Sequence, residues 1–201
     1  MRDFSSTSIT ELAVVVAEHL REQGVSVVLV GGLAVEIYSE NLYLTKDIDM
    51  VDTSAQSPAV LSKVMAELGF RKQGRVYINP STEITVEFPT APLWVGDELV
   101  QETTVAQLPA GKIPILRAED VVKDRLAAFI HWRDSQSLVQ AAAIMLNHDM
   151  KPSDFRSFVE REGSAAQFEQ LNKLFRRGQS HRELTMAQLE ADLAEILLEE
   201  L

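Results

Sequence analysis

Cysteine is absent from this 201-residue sequence, which excludes disulfides, thiolate metal sites and a cysteine nucleophile. Any metal must then be held by oxygen or imidazole, and oxygen ligands suit magnesium or manganese. No apolar run approaches the ~20 residues that cross a bilayer, and the opening MRDFSSTSITE lacks the basic-then-apolar pattern of a secretory signal. Both absences predict a cytoplasmic protein with no membrane association. Internal repeats and low-complexity segments are missing too. The segment GGLAVE has no third glycine, so the dinucleotide fingerprint is absent, and no GKS or GKT marks a P-loop. Basic residues are in deficit, 19 Lys and Arg against 30 Asp and Glu for a net charge of −11. That balance disfavours non-specific binding to nucleic acid through the overall field. It leaves room for a local basic groove, because much of the acid lies in 190–200 while Lys123, Arg125, Arg133, Lys173, Arg176, Arg177 and Arg182 precede it.

The 46% hydrophobic fraction is ordinary for a globular protein. The length allows one medium domain or two small ones. Residues 8–22 place Ile9, Leu12, Ala13, Val16 and Leu20 at helical spacing behind serines and threonines able to cap, with Gly24 as the stop. Residues 25–30 form a near-continuous β-branched run, which predicts a strand covered on both faces. Gly31 and Gly32 follow, then a short helix to Tyr38, a polar loop, and a strand over 46–51. Pro58 opens a second amphipathic helix that Gly69 closes. Residues 70–79 predict a strand bent at Gly74, and 83–88 alternate again, with Ile84, Val86 and Phe88 on one face and Glu83, Thr85 and Glu87 on the other. A further hairpin is predicted around Ala110 and Gly111. From Ala118 the pattern turns helical, with helices near 118–131, 134–147, 152–162, 165–177 and 184–198 and a break at Arg177 and Gly178. The organisation is therefore an α/β front half and an all-helical back half, domains 1–116 and 117–201.

The chain is organised around residues 27–49. A glycine pair that ends a strand and opens a helix lets the backbone approach a phosphate with no Cβ in the way. Residues two apart on a strand share a face, so Asp47 and Asp49 point together while Ile48 and Met50 turn to the core. Unpaired charge on an internal strand is costly unless it lines a cleft or binds cations. Glu87 adds a third carboxylate at strand spacing, on a strand that can pair beside the Asp47 strand. Such a trio can hold two cations about 4 Å apart, the arrangement that supports phosphoryl transfer. His19, His131, His148 and His181 are far apart in sequence and show no metal-ligand spacing, so they read as structural or surface residues. Trp132 reads as filling a helix packing site, and Trp94 as a residue lining a cleft.

The order strand, Gly31-Gly32, helix, Thr45-Lys46-Asp47-Ile48-Asp49, then Glu87 on a later strand resembles the polymerase-beta-like nucleotidyltransferase superfamily. Within it, the chain is most similar to small bacterial nucleotidyltransferases of abortive-infection and toxin–antitoxin systems. The segment LRAEDVVKDRLAAFIHWR over 116–133 is similar to the helix that follows the catalytic sheet in that group. The likeness spans roughly residues 25–147.

The resemblance implies an α+β catalytic domain with a mixed sheet, an all-helical C-terminal domain, and a site in the cleft between them. It also implies transfer of a nucleoside monophosphate from a nucleoside triphosphate (NTP), with Mg2+ or Mn2+ as cofactor. Gly31 and Gly32 would grip the triphosphate, with Thr45 and Lys46 among the nucleotide-binding positions. Asp47 and Asp49 would bind both metals, and Glu87 would complete one metal site. Lys123 and Arg133 would offset phosphate charge. The acceptor is open among a small hydroxyl compound, a tRNA end and a protein side chain. Three positions depart from the pattern: Gly32 where many members have serine, Tyr43 where arginine is common, and Glu87 where aspartate is common. Those departures, and an amphipathic acidic C-terminal helix suited to a protein partner or a dimer, motivate a second expectation, a non-catalytic nucleotide-sensing or partner-binding module. A third, a structural protein, requires the internal acids to pair with Lys46 or Lys123.

Overall fold

The computed structural model describes residues 2–199; Glu200 and Leu201, at the end of the acidic tail, lie outside them. Two compact units are present. The first takes in residues up to Ala34, Leu44–Trp94 and Leu99–Arg117; the second takes in Val35–Tyr43, Val95–Glu98 and the described residues from Ala118 onward. The division is thus not one cut along the chain, because two short segments inside the first half belong with the helices.

In the first unit, α1 (Ile9–Glu22) starts at a capping box: the Ser8 side chain accepts from the Glu11 N–H, and the Glu11 carboxylate accepts from the Ser8 N–H. The Ser8 N–H, with the Ser8 hydroxyl that also donates to this carboxylate at 2.8 Å, holds the Glu11 carboxyl below its ordinary value, the backbone N–H being the larger cause. β1 (Val27–Val30) leads into α2 (Gly31–Tyr38), and β2 (Asp47–Asp52) follows the loop. Helix α3 (Pro58–Glu67) begins with proline in its first turn behind the Ser57 cap. The expected bent strand resolves into a hairpin, β3 (Arg71–Gln73) and β4 (Val76–Ile78), turned at Gly74 with φ +64°. β5 (Thr85–Glu87), β8 (Thr104–Leu108) and β9 (Gly111–Ile115) complete a seven-stranded sheet of order β3-β4-β5-β2-β1-β9-β8. A separate two-stranded ribbon joins β6 (Trp94–Val95) to β7 (Glu98–Leu99). The large sheet is mixed: β2 runs antiparallel to β1 and parallel to β5, and β9 runs parallel to β1.

Register decides what each face carries. Leu29 pairs with Met50, Ile48 with Val86, and Val86 with Tyr77, so these side chains share one face, and all are buried. The Tyr77 hydroxyl lies 2.9 Å from the Ser62 hydroxyl of α3, which places α3 on that face, and α1 packs against α3. Each such aliphatic side chain contributes roughly 1.5–3 kcal/mol by leaving water. The opposite face carries Val28, Val30, Val51 and the acids.

The second unit is a bundle of α4 (Ala118–Trp132), α5 (Ser135–Asn147), α6 (Pro152–Glu162), α7 (Ala165–Ser180) and α8 (Met186–Leu198). Its centre is α5, where every residue from Ser137 to Met145 is buried, as expected of a helix with neighbours on all sides. Helix α7 runs through the break expected at Arg177 and Gly178. A Cβ on Gly178 would stand 2.6 Å from Leu146 Cδ1 and 3.0 Å from Leu189 Cδ2, so the glycine serves close helix packing rather than chain reversal. Trp132 does not fill a packing site; it is 81% exposed at the end of α4.

The four histidines serve separate structural contacts. His19 faces Glu67 at 3.3 Å, His131 faces Glu162 at 2.7 Å, His181 faces Asp192 at 2.7 Å, and the His148 ring lies 2.9 Å from the Tyr38 carbonyl oxygen. The His148 ring also packs edge-on against the Tyr38 ring. Burial, with the nearby charges of Glu119 and Asp120, pushes the Tyr38 phenol up to about 12. Because the folded value lies above the ordinary one, this contribution to stability is complete below pH ~10 and is lost as pH rises through ~12. Ultraviolet titration at 295 nm is expected to show one phenol ionising near pH 12, a step that Tyr38→Phe removes.

Candidate active site

The acids lie where a strand feeds a helix start. β1 ends at Val30, and Gly31 turns the chain with φ +64°. Its neighbour across the sheet is Asp49, which pairs with Val30. A Cβ on Gly31 would overlap the Asp49 carboxylate, so the position needs glycine twice, for its backbone angle and for the approach of the acid. Gly32 is less constrained: a Cβ there would meet Thr45 Oγ1 at 3.1 Å. Thr45 in turn accepts from the Asp47 N–H at 3.2 Å, which fixes the chain at the entrance to β2.

The parallel pairing of β2 with β5 sets Asp47 beside Thr85 and Asp49 beside Glu87. All four side chains therefore share the face that α3 leaves open. Asp47 is exposed, Asp49 and Glu87 are half-buried, and Ile48 between them is fully buried, as strand alternation demands. The Thr85 hydroxyl donates to Asp47 Oδ1 at 2.6 Å, and Arg75 Nε stands 3.7 Å from Glu87 Oε1. Among the described residues no three carboxylate or imidazole groups converge closely enough to form a metal cage by themselves. The trio expected from the sequence is thus not gathered into one cluster; Glu87 lies toward Arg75 and Asp47 is held by Thr85. The donor chemistry fits magnesium or manganese all the same, since such ions are commonly held by one or two carboxylates together with substrate phosphates and water. Asp47 and Asp49 are two carboxylates on one strand face that fit such a donor set.

The basic residues expected at phosphate have other partners or positions. Lys46 Nζ lies 2.5 Å from Glu83 Oε2, and this hydrogen bond holds the lysine above and the glutamate below their ordinary values. In the second unit, Lys123 lies 2.5 Å from Glu98 Oε2, and Arg161 reaches Glu98 Oε1 at 2.6 Å and Asp97 Oδ1 at 3.0 Å. The hydrogen bond from Lys123, helped by Arg161, holds the Glu98 carboxyl below its usual range. Sequence reasoning missed Glu98 and Arg161, because only the folded chain brings residues so far apart together. Arg133 is not on the helix where the resemblance set it. Helix α4 ends at Trp132, and Arg133 is an exposed residue with φ +55° in the connection to α5.

An antigenic nucleotidyltransferase-like protein from Paracoccidioides brasiliensis superposes with a TM-score of 0.53 over 96% of this chain and 89% of its own, at 15% identity. The chain has a nucleotidyltransferase fold. The superposition spans the mixed sheet and the C-terminal helices alike, so the α+β class with a helical C-terminal part holds for the whole chain. Two structures of the antibiotic-resistance factor ANT(2'')-Ia are also similar. The complex with adenylyl-2''-tobramycin has a TM-score of 0.49 at 13% identity, over 81% of this chain and 98% of that one. The solution structure has a TM-score of 0.46 at 14% identity, over 83% and 91%. No protein-family profile and no curated protein matches the sequence.

Proposed function

We propose that the chain is a metal-dependent nucleotidyltransferase that moves a nucleoside monophosphate from an NTP to an acceptor hydroxyl. The observation that carries this reading is the pair Asp47 and Asp49 on the open face of β2, with the Gly31 backbone against Asp49, in a nucleotidyltransferase fold. Magnesium or manganese ions at these carboxylates would neutralise charge on the triphosphate. The Gly31-Gly32 turn brings backbone at a helix start to the phosphates with no side chain between. Thr85 and Thr45 hold Asp47 in place from its carboxylate and its N–H. The acceptor hydroxyl oxygen forms a bond to the α-phosphorus, the bond from that phosphorus to the bridging oxygen breaks, and pyrophosphate leaves. Glu87, across from Asp49, would take the hydroxyl proton.

Pyrophosphate release from each of the four NTPs with Mg2+ or Mn2+, with cell extract as a mixed acceptor source, tests the reading. Metal-dependent release with label transferred to a product supports it. No NTP binding under any of these conditions rejects it. A second reading, a nucleotide sensor without turnover, draws on the fact that the three acids do not converge in the described residues; it predicts saturable NTP binding with no pyrophosphate. The abortive-infection or toxin–antitoxin role suggested by the sequence resemblance predicts growth arrest on expression, relieved by Asp47→Asn.

A further inference from the structure

A cavity of about 540 Å³ opens in the first unit, floored by Val28 of β1 and walled by Pro92, Leu93, Leu99, Gln101 and Thr103. We propose that it is the acceptor subsite of the transfer, and that the acceptor is an uncharged small molecule with a largely apolar body and a hydroxyl group. The inference rests on the transferase reading for the word acceptor, but the binding site stands on its own geometry.

Three observations carry it. First, the cavity lies on the acid face of the sheet. Val28 pairs with Val51, and Val30 pairs with Asp49, so Val28, Val51 and Asp49 share a face, opposite to Leu29 and Met50. Val51 is two residues beyond Asp49, about 7 Å along the strand, which a small molecule seated over Val28 spans with one end. Second, the volume is that of a site for a drug-sized ligand. Third, the lining carries little charge. Among the described residues it contains no Lys, Arg or His, and its one carboxylate, Asp52, is 7% exposed. Asp52 Oδ1 accepts from the Ser54 N–H at 2.8 Å and the Ser54 hydroxyl at 2.6 Å, and Oδ2 accepts from the Gln56 N–H at 2.8 Å. Both oxygens are thus already engaged in closing the turn after β2. A polycation entering here would meet one carboxylate, already holding three hydrogen bonds, and otherwise neutral walls, so most of its charge would lose hydration without a counter-charge, which is costly. Thr53, Gln101 and Thr103 supply neutral polar groups that fit hydroxyl, amide or carbonyl functions.

Trp94 follows Leu93 directly and is 52% exposed, so it reports on the cavity once the other tryptophan is replaced by Trp132→Phe. The probe is n-octyl β-D-glucoside below its micellar concentration, titrated without nucleotide or metal while Trp94 emission is followed. Saturable binding is expected, unchanged by Asp47→Asn/Asp49→Asn and weakened at least tenfold by Leu99→Arg and by Thr103→Arg. Both arginines replace exposed residues, and circular dichroism checks that each variant is folded. Tobramycin, a polycation, is expected not to compete. In transfer assays with uncharged hydroxylated acceptors, Leu99→Arg is expected to raise the acceptor KM with kcat within about twofold. The proposal is overturned if the glucoside does not saturate, if neither arginine weakens it, or if tobramycin displaces it. Loss of the transferase reading shows differently: glucoside binding persists while no NTP is turned over.

Discussion

Replacing Asp47 and Asp49 together by asparagine is expected to lower nucleotidyl transfer by about 10³-fold or more, and Asp47→Asn alone is expected to leave the fold as stable as before or more so. On the proposed reading, the rate effect follows from the charge those carboxylates would bring to the metals and through them to the triphosphate, several kcal/mol at roughly 1.4 kcal/mol per factor of ten. The stability effect follows from register. Asp49 stands opposite Glu87 on the parallel strand, with Asp47 on the same face, and like charges directly opposite each other are destabilising. Asparagine at position 47 lowers the negative charge on that face, and its side-chain oxygen still accepts the Thr85 hydroxyl bond now made to Asp47 Oδ1. Single-turnover transfer with labelled NTP and thermal unfolding without metal measure the two quantities. Transfer within a few-fold of wild type would mean that the carboxylates are not the metal site. A lowered melting temperature would mean that they serve the fold.

For Gly31→Ala the expectation is a loss in both quantities. The residue has φ +64°, a region that costs an L side chain roughly 1–2 kcal/mol, and its new Cβ would occupy the space of the Asp49 carboxylate. Backbone holds the Cβ in place, so Asp49 must swing away. A displacement of about 1 Å in a positioned group costs about 10²-fold in rate, and destabilisation of about 1–3 kcal/mol is expected with it. Gly32→Ala is the contrast. Its Cβ meets only the Thr45 side chain, at 3.1 Å, a contact relieved by a shift of about a few tenths of an ångström, so less than a tenfold loss is expected. Denaturant unfolding and transfer rates on the two variants decide between a conformational requirement at Gly31 and a general intolerance of the turn. Equal losses at the two positions would overturn the distinction.

Both variants bear on how much of this protein can be read from its residues. The strand with Ile48 and Met50 inward and Asp47 and Asp49 outward was readable because alternation is a local property of extended backbone, and both apolar residues are fully buried. The helices of the C-terminal part were readable because a 3.6-residue apolar period needs no knowledge of neighbours. Helix α7 shows where that reasoning stops. Gly178 reads as a helix end by residue type, and only the presence of Leu146 and Leu189 against it explains a glycine in mid-helix. Trp132 failed in the opposite direction, since a large apolar side chain reads as core and this one faces solvent.

What the sequence determined by itself is the set of local periods: an α/β front half, a helical back half, a glycine turn and two acids on one strand face. Tertiary structure alone decided which strands became neighbours, and so placed Glu87 opposite Asp49 and Val28 beneath a cavity on the acid face. It also decided that Lys123 meets Glu98 and that Arg133 leaves the helix. The physical reason is range. Periodicity and turn chemistry act over a few residues of chain, whereas register, ion pairing and cavities depend on groups that folding brings together from distant positions in the sequence.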